Sequence, residues 1–340
     1  MWFEGMLIFP LAALLDFVVG DPWGWPHPVQ AMGWFISSYS RRALKLLQSP
    51  LAQRLGGVVL GVIVIGGSGA VGWALVATAR SAHPGLAILL QVVLLASCLA
   101  GRSLRAAAED VLAPLEAGDI ATARSRLDIY VGRDTDDLEA PEILRAVLET
   151  VSENTTDGVT APLFYAAVGA LIPGLGPVPT ALAYKGASTL DSMVGYKDPP
   201  YRFLGWFSAR CEDALTWLPC RLTVITIALL SRRPRTVLKL CRRDAVADPS
   251  PNAGWSECAY AAALGVQMGG ANRYGGRLRM KPLLGDAHRP ITADTVRQAL
   301  KLTRWMVILW LAIIGLMGGG LASVTGWIGP LKSYINIESR

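Results

Sequence analysis

The segment of residues 149–197 constrains the fold more strongly than any other part of the sequence. Its charge-free run, residues 158–184, is long enough to cross a bilayer. Prolines and glycines at residues 173–179 interrupt the middle of this run, so one continuous helix through it is excluded. Broken helices at membrane depth are tolerated where they are buried in protein or line a cavity. We therefore expect two half-helices in a re-entrant arrangement that returns Lys185 to the side where the run began; a true crossing is the alternative.

The composition indicates a polytopic membrane protein. Of the 340 residues, 52% are hydrophobic and only 17% are charged, against roughly 25% charged residues in a soluble domain. Charge-free runs of about the 20 residues that a membrane span needs occupy residues 56–79, 81–101, 158–184 and 305–331. Two shorter or interrupted runs, residues 6–19 with Asp16 and residues 214–231 with Arg221, are weaker candidates. We predict an all-α polytopic membrane protein with several transmembrane helices, broken segments and a helical cytosolic lobe.

The pattern of charges divides the predicted chain into five regions. Half of the 26 acidic residues fall between residues 109 and 157, whereas basic residues cluster beside the apolar runs. This is the positive-inside pattern, so the basic balance does not indicate nucleic-acid binding. The predicted regions are an N-terminal transmembrane region of three apolar helices (1–101), an acidic helical cytosolic lobe (102–157), broken membrane segments with a catalytic loop (158–231), a basic cytosolic segment (232–304) and a C-terminal transmembrane helix with its tail (305–340).

Several familiar functional classes are excluded by missing signals. The N-terminus lacks a basic region and a small-residue cleavage site, so we expect the first apolar helix to be retained. The five cysteines form no CxxC pair, which argues against a structural zinc site, and disulfides are not needed. The sequence contains no Walker A loop, no GxGxxG after a strand, no GxSxG and no HExxH.

The helix that leads into the broken segment carries three evenly spaced carboxylates. Glu149, Glu153 and Asp157 recur every four residues and therefore share one helix face. Like charges at this spacing repel each other, so a cation should compensate them, either Mg²⁺ or an arginine such as Arg145. The alternative is an ordinary solvated acidic face.

Two other polar stretches have both a functional and an ordinary interpretation. Around residues 21–29, three prolines exclude a regular helix; Trp23 and Trp25 then form an interfacial turn, or Asp16, Asp21 and His27 face an active site. Glycines and cations in residues 272–285 suit a phosphate or carboxylate site, and equally suit a surface loop.

The order of the polar motifs along the chain resembles one known family. The motifs are residues 15–16 (LD), 20–22 (GDP), 26–29 (PHPV), 132–135 (GRDT), 152–165 (SENTTDGVTAPLFY), 184–197 (YKGASTLDSMVGYK), 248–254 (DPSPNAG) and 281–285 (KPLLG). Over nearly the whole length, the chain resembles the CbiB/CobD family of adenosylcobinamide-phosphate synthases, membrane proteins of cobalamin biosynthesis. It departs from the pattern at Ser188, where an asparagine is expected, and at Glu212-Asp213, where paired aspartates are usual.

The resemblance implies an ATP-dependent amide ligation with Mg²⁺. A propionate carboxylate of adenosylcobyric acid would be joined to (R)-1-aminopropan-2-ol O-phosphate, or to the free amino alcohol. This chemistry needs an activated carboxylate, a metal to bridge phosphates and a base that leaves the amine neutral.

The resemblance also implies roles for individual residues. We expect the catalytic residues to be Glu153, Asp157, Lys185, Asp191 and Asp213. The predicted magnesium ligands are Glu153, Asp157 and Asp191. The residues expected to bind substrates or phosphates are Asp21, His27, Arg133, Asp134, Asn154, Lys197, Arg210, Asn252, Asn272 and Lys281.

The expected partners are the corrinoid and amino-alcohol phosphate substrates and the lipid bilayer. Other late cobalamin-pathway membrane enzymes and a second copy of the chain are further expected partners, and nucleic acid is not. The expected location is the cytoplasmic (inner) membrane of a prokaryote, with the active site facing the cytosol. A transporter, sensor or scaffold that binds a corrinoid or another anionic solute is the alternative function.

Overall fold

The computed structural model describes residues 2–21, 24 and 27–335; Trp23 and Trp25 lie outside the described residues. Its helices are α1 (Trp2–Val18), α2 (Pro28–Leu46), α3 (Pro50–Ala82), α4 (Pro84–Ala96), α5 (Gly101–Glu116), α6 (Ile120–Asp128), α7 (Ala140–Thr155), α8 (Ala161–Leu171), α9 (Pro177–Val194), α10 (Trp206–Leu230), α11 (Pro234–Asp244), α12 (Ala253–Leu264) and α13 (Ala293–Ile335). Strands β1 (Met268–Tyr274) and β2 (Arg277–Leu284) form an antiparallel hairpin, the β-hairpin below.

The protein is an all-α polytopic membrane protein. Four stretches of the described chain are long and apolar enough to cross a membrane: Pro50–Ala82, Pro84–Glu116, Trp206–Leu230 and Ala293–Gly318. Large apolar side chains cover the outer face of the first of these stretches, where Leu51, Leu55, Val59 and Val62 are exposed. Apolar side chains that face outward on a span suit contact with lipid, so their exposure agrees with the membrane assignment.

Prolines set many of the helix starts. The helices α2, α3, α4, α7, α8, α9 and α11 each have proline in the first turn, where the missing N–H costs no hydrogen bond. His83 ends α3 and caps α4, because its Nδ1 accepts a hydrogen bond from the Gly85 N–H. The apolar runs 56–79 and 81–101 predict two helices joined by a very short link around His83 and Pro84, and this is confirmed. Pro141 predicts the first turn of a helix and lies in the first turn of α7.

The broken segment forms a helical hairpin. The helices α8 and α9 run antiparallel, since the Tyr165 and Tyr184 rings stack at 5.0 Å and Gly169 lies against Thr180. With 11 residues, α8 spans only about 16 Å, half of the roughly 30 Å hydrocarbon core. The chain therefore turns back between α8 and α9, at the break that the sequence predicted. Because α9 has 18 residues and is longer than a half-helix, the re-entrant arrangement stays a prediction. The π-helical turn Thr156–Thr160, which joins α7 to α8, was not predicted.

The structure differs from the sequence-based prediction around residues 258–285. The run of small residues 258–270, which follows a proline-rich turn, predicts a helix over these residues. In the structure α12 begins at Ala253 and ends at Leu264, and the next residue, Gly265, adopts a left-handed conformation (φ 68°). The following residues form the β-hairpin instead of the glycine-rich loop that the composition suggested. Glycine favours the left-handed conformation that stops a helix, so the end at Gly265 has a local cause that the apolar pattern hid.

A buried ion cluster fastens the β-hairpin to α7. The Glu149 carboxylate, 1% exposed, accepts hydrogen bonds from Arg133, from Arg145 and from the Gly269 N–H. Arg145 also donates to the Gly269 and Ala271 carbonyls, and both arginines donate to the Asn272 side-chain oxygen. The arginine that the sequence expected to compensate the acidic face does so, at Glu149.

We expect Glu149→Gln to destabilise the protein strongly. Breaking a buried charge pair leaves the remaining charge unpaired and costs about 3–5 kcal/mol, whereas an exposed pair contributes about 1 kcal/mol or less. The matched control is Glu142→Gln. Glu142 also pairs with Arg145, but the Glu142 side chain is 45% exposed. Thermal unfolding of the three proteins in one detergent measures the difference; equal melting temperatures for the two variants would contradict this account.

The same cluster predicts loss of stability in acid. Burial alone would raise the pKa of Glu149, but Arg133 and Arg145 outweigh it and hold the pKa below its ordinary value. The contribution of Glu149 is therefore present above its unfolded pKa of about 4.3 and is lost as the pH falls through the lower folded value. Unfolding followed between pH 7 and pH 3 should show a smaller acid dependence in Glu149→Gln than in the wild type.

Gly169 allows the two helices of the hairpin to approach each other closely. A Cβ at this position would lie 2.1 Å from Thr180 Oγ1 and 2.4 Å from the Gly176 carbonyl oxygen. We expect Gly169→Ala to lower stability by about 1–3 kcal/mol, the usual cost of overpacking. Gly66→Ala on α3 is the control, because a Cβ there meets nothing within 4 Å and alanine favours a helix. Thermal unfolding should separate the two variants; equal stability would show that the helices can move apart freely.

Candidate active site

Carboxylates from four elements lie near one end of the helical hairpin. Glu153 lies on α7, Asp157 on the π-helical turn, Asp191 near the end of α9, and Glu212 on α10. Burial, followed by the neighbouring Glu212, Glu153 and Asp191, raises the pKa of Asp157 well above its ordinary value. These four side chains form the carboxylate cluster below. A site with this much negative charge favours a proton or a cation.

Lys185 is a cation beside this cluster. It lies six residues before Asp191 on α9, nearly two helical turns, and partly offsets the rise of the Asp157 pKa. It also acts on Asp21, near the end of α1. Its ammonium makes no ion pair or hydrogen bond with any side chain in the described ranges, so its three donors stay available to a ligand.

A second lysine reaches the same end from the β-hairpin. Lys281 on β2 forms an ion pair of 3.2 Å with Glu257 of α12, whose side chain is fully buried. Burial raises the pKa of Glu153; Lys281 opposes this rise, and Asp248 and Glu149 add to it. Lys281 therefore lies near Glu153 of the carboxylate cluster and also near two acids outside it, Glu257 on α12 and Asp248 on the turn before α12.

A pocket of about 680 Å³ opens beside the cluster, within the usual range for small-molecule sites. Its walls combine cations with aromatic rings and two carboxylates: Lys197, Arg202, Arg210, Arg221, Tyr196, Trp206, Trp255, Asp213 and Asp248. Asp213 follows Glu212 directly, so the pocket and the carboxylate cluster share one stretch of α10. The predicted residues Lys197, Arg210 and Asp213 are therefore brought together.

One wall of the pocket is a rigid stack. The Arg221 guanidinium lies 4.3 Å from the Trp255 ring and 5.3 Å from the Trp217 ring, in cation–π geometry. It donates to the Asn252 side-chain oxygen and to the Pro251 carbonyl. Asn252 in turn donates to the Asp213 carbonyl, so this predicted binding residue supports the pocket wall from behind.

The N-terminal motif contributes a linked pair near Lys185. His27 Nε2 lies 3.1 Å from Asp21 Oδ1, and Ser103 donates to Asp21 Oδ2 at 2.8 Å. Burial would raise the pKa of Asp21, but these two partners and Lys185 hold it below its ordinary value. The structure places Asp21 and His27 near Lys185; that Asp16, Asp21 and His27 face an active site stays a prediction. Their contact with a substrate stays a prediction.

Four other predicted binding residues are engaged within the protein. Arg133 and Asn272 belong to the buried Glu149 cluster, and Asp134 accepts hydrogen bonds from the Gly275 and Gly276 N–H groups at the tip of the β-hairpin. Asn154 is exposed and donates to the Thr150 carbonyl of its own helix. Their contacts give them a structural role, and the binding role stays a prediction.

The predicted magnesium ligands are electrostatically coupled but do not form a closed cage. Within the described ranges, no three histidine, cysteine, aspartate or glutamate side chains are close enough together to hold one ion. Magnesium commonly uses one or two protein carboxylates and takes its other ligands from water and substrate phosphates. The donor set around Glu153, Asp157 and Asp191 fits an ion of that kind, and the ligand assignment itself stays a prediction.

Sequence reasoning missed three residues that the structure brings to the site: Asp248, Glu257 and Arg221. Asp248 and Glu257 were interpreted as parts of a rigid turn that caps a helix, and Arg221 as an interruption of an apolar run. The available signal was a single charge beside an otherwise uncharged small-residue helix, because such a charge is buried only when it is paired.

The cationic side of the pocket should bind polyvalent anions. We expect Arg210→Ala to weaken the binding of inorganic tripolyphosphate about tenfold, since hydrogen bonds to charged groups contribute about 1.5–3 kcal/mol. The control is Arg235→Ala, an exposed arginine in the first turn of α11 that does not line the pocket. Isothermal titration calorimetry of the detergent-solubilised proteins measures both constants; equal weakening in the two variants would mean a nonspecific charge effect.

Comparisons with known proteins agree with the motif order. The family model described as CobD/Cbib protein matches residues 9–303. "Cobalamin biosynthesis protein CobD" of Synechocystis sp. is 52% identical over 311 residues, which cover 92% of this chain and 91% of the relative. "Cobalamin biosynthesis protein CobD" of Citrobacter koseri is 42% identical over 301 residues, with coverages of 87% and 92%.

A third relative covers still more of the sequence. "Cobalamin biosynthesis protein CbiB" of Salmonella typhimurium is 40% identical over 323 residues, 94% of this chain and 99% of the relative. No solved structure matches the chain. The family match and these identities over almost the full length show that the chain belongs to the CobD/CbiB family.

Proposed function

We propose that this protein is an adenosylcobinamide-phosphate synthase, an ATP- and Mg²⁺-dependent ligase of cobalamin biosynthesis. It would join adenosylcobyric acid to (R)-1-aminopropan-2-ol O-phosphate, or to aminopropanol, through an amide bond. The role in cobalamin biosynthesis rests on the names of the relatives. The observation that carries the reaction is the meeting of the carboxylate cluster, two lysines and a cationic, aromatic-walled pocket at one end of the helical hairpin.

Each part of this arrangement suits one requirement of amide ligation. The reactants are anions, and Lys197, Arg202 and Arg210 supply positive charge on the pocket walls. Exposed aromatic rings such as Trp206 offer flat apolar surface for the planar parts of a nucleotide or corrinoid. A ligand that fills the pocket would exclude water, which protects an activated acyl group from hydrolysis.

Within this proposal, the polar residues divide the chemistry between them. Lys185, which is free of ion pairs in the described part of the chain, would neutralise the oxygens of the acyl phosphate. Glu153, Asp157 and Asp191 would hold Mg²⁺, which bridges phosphate oxygens and withdraws charge from them. Asp213 lines the pocket and would accept the proton that the amine loses on attack. Asp21 is a second acceptor, held near Lys185 by His27 and Ser103.

The proposal includes a cellular location and an orientation in the membrane. We place the protein in the cytoplasmic membrane of a prokaryote, with the site facing the cytosol, where ATP is available. Basic residues around the apolar helices support this orientation, among them Arg41, Arg42, Arg232, Arg233 and Arg235. A site at the membrane surface would let other late enzymes of the pathway receive the corrinoid product directly.

The decisive experiment is a ligation assay with the purified protein in detergent. Adenosylcobyric acid, aminopropanol phosphate, ATP and Mg²⁺ should give a new corrinoid amide together with ADP. We expect Glu153→Gln and Lys185→Ala each to lower the rate by about 100-fold or more, because both remove charge from the reacting centre. Chromatography with mass detection measures the amide, and a coupled assay measures ADP.

Two exposed residues provide matched controls. They are Glu139, changed to Gln at the start of α7, and Lys239, changed to Ala on α11. Both wild-type side chains are exposed, and neither lines the pocket. These variants should keep the wild-type rate. Corrinoid binding without product, for any amine and nucleotide supplied, would instead indicate a carrier, sensor or scaffold.

A further inference from the structure

Two buried carboxylate oxygens near the pocket have no partner. Glu257 Oε2 and Asp248 Oδ2 are both inaccessible to solvent, and neither accepts a hydrogen bond within the described residues. The Glu257 side chain is fully buried. An unpartnered buried carboxylate oxygen is costly, so its presence in a site points to a ligand that supplies the missing donors.

The two carboxylates lie at the same face of α12: Glu257 belongs to this helix, and Asp248 packs against it from the preceding turn. The Asp248 side chain packs on Gly254, where an added Cβ would come within 2.4 Å of Asp248 Cβ and 3.1 Å of its Cγ. Gly254 and Glu257 are three residues apart on the helix and therefore share a face, about 5–6 Å apart. The Asp248 and Glu257 carboxylates are thus neighbours, and Asp248 also lines the 680 Å³ pocket.

The local charges leave an excess of negative charge. Lys281 has Glu257, Glu153, Glu149 and Asp248 as its acidic neighbours. Glu149 is already paired with two arginines. One lysine therefore faces three further carboxyl groups. Burial raises the pKa of Glu257 to about 8, so at neutral pH either a proton or another cation compensates this group.

Either a divalent metal, completed by water and phosphate ligands, or an ammonium can compensate this charge. The ammonium is favoured because Glu257 Oε2 and Asp248 Oδ2 are two separate acceptors that lack hydrogen-bond donors. A primary ammonium needs only hydrogen-bond acceptors around a compact charge with three donors. We propose that Asp248 and Glu257 form the subsite for the ammonium group of a small primary amine, which enters through the 680 Å³ pocket.

This inference rests on the proposed function for the identity of the amine. A phosphorylated amino alcohol carries opposite charges at its two ends. With its ammonium on Asp248 and Glu257, its phosphate would lie toward the cations on the other walls of the same pocket, Lys197 and Arg210. The carboxylates would then select an amine over an alcohol of the same shape, because an uncharged hydroxyl pairs with only part of their charge.

The test measures amine binding in the full-length protein, without ATP or corrinoid. Isothermal titration calorimetry should show that 1-aminopropan-2-ol binds at least about tenfold more tightly than propane-1,2-diol. Asp248→Asn should remove that preference. Asp137→Asn is the control, since its side chain is 91% exposed and lies outside the pocket. Because Asp248 is partly exposed, we expect Asp248→Asn to keep the fold, which its melting temperature verifies.

Activity measurements separate this inference from the proposed function. In an active synthase, Asp248→Asn should raise KM for the amine about tenfold or more and leave KM for ATP unchanged. Unchanged amine KM in an active variant would overturn the subsite and leave the ligase intact. Amine binding that depends on Asp248, in a protein that forms no amide with any nucleotide, would support the subsite while the ligase fails. Loss of Mg²⁺ binding with retained amine binding would overturn the subsite in favour of a metal.

Discussion

The buried carboxylate of Glu149 is the interaction on which the rest of the site depends. Its charge is stable inside the protein only because Arg133, Arg145 and the Gly269 N–H surround it. The same two arginines hold the β-hairpin through backbone carbonyls and Asn272. Since Lys281 lies on β2, the ion cluster fixes where that ammonium meets Glu257. A structural charge pair thereby positions a charge of the site.

The helical hairpin provides the second constraint. The chain turns back between α8 and α9, and α8 by itself is only about half as long as the hydrocarbon core is thick. The turn is exposed at residues 172–174, and Trp73 of α3 donates a hydrogen bond to the Gly174 carbonyl there. Return of the chain is what brings Lys185 and Asp191 beside Asp157. Two stretches separated by a long apolar run are therefore close together at the candidate site.

The sequence allowed much of this to be predicted, for identifiable reasons. Proline and hydrophobicity act locally, so the helix starts, the broken segment and the membrane class could be predicted from residue pattern alone. The β-hairpin was missed, although residues 277–282 alternate charged with apolar residues and the pair Gly275–Gly276 is typical of a hairpin turn. The signal was weak because β1 shows no such alternation and β2 is largely exposed; distant contacts from Asp134 and Arg145 fix the hairpin. Glu257 was missed for a related reason: its partner, Lys281, is far away in sequence.

The carboxylates of this protein differ in which groups compensate their negative charge. Glu149 has arginines and a backbone N–H as permanent partners, which is the pattern of a structural group. Asp157 and Glu153 have mainly other carboxylates and a lysine nearby, so a cation or a proton must compensate their negative charge.

Sequence spacing placed Glu149, Glu153 and Asp157 on one helix face and could not separate these roles, because spacing reports only which side chains are neighbours along one helix. The difference arises from the elements that pack against that face: the β-hairpin supplies backbone donors at one end, and α10 supplies Glu212 at the other. One acidic stripe is therefore fully paired within the protein where it meets the β-hairpin and still needs a proton or a cation where it meets the helical hairpin.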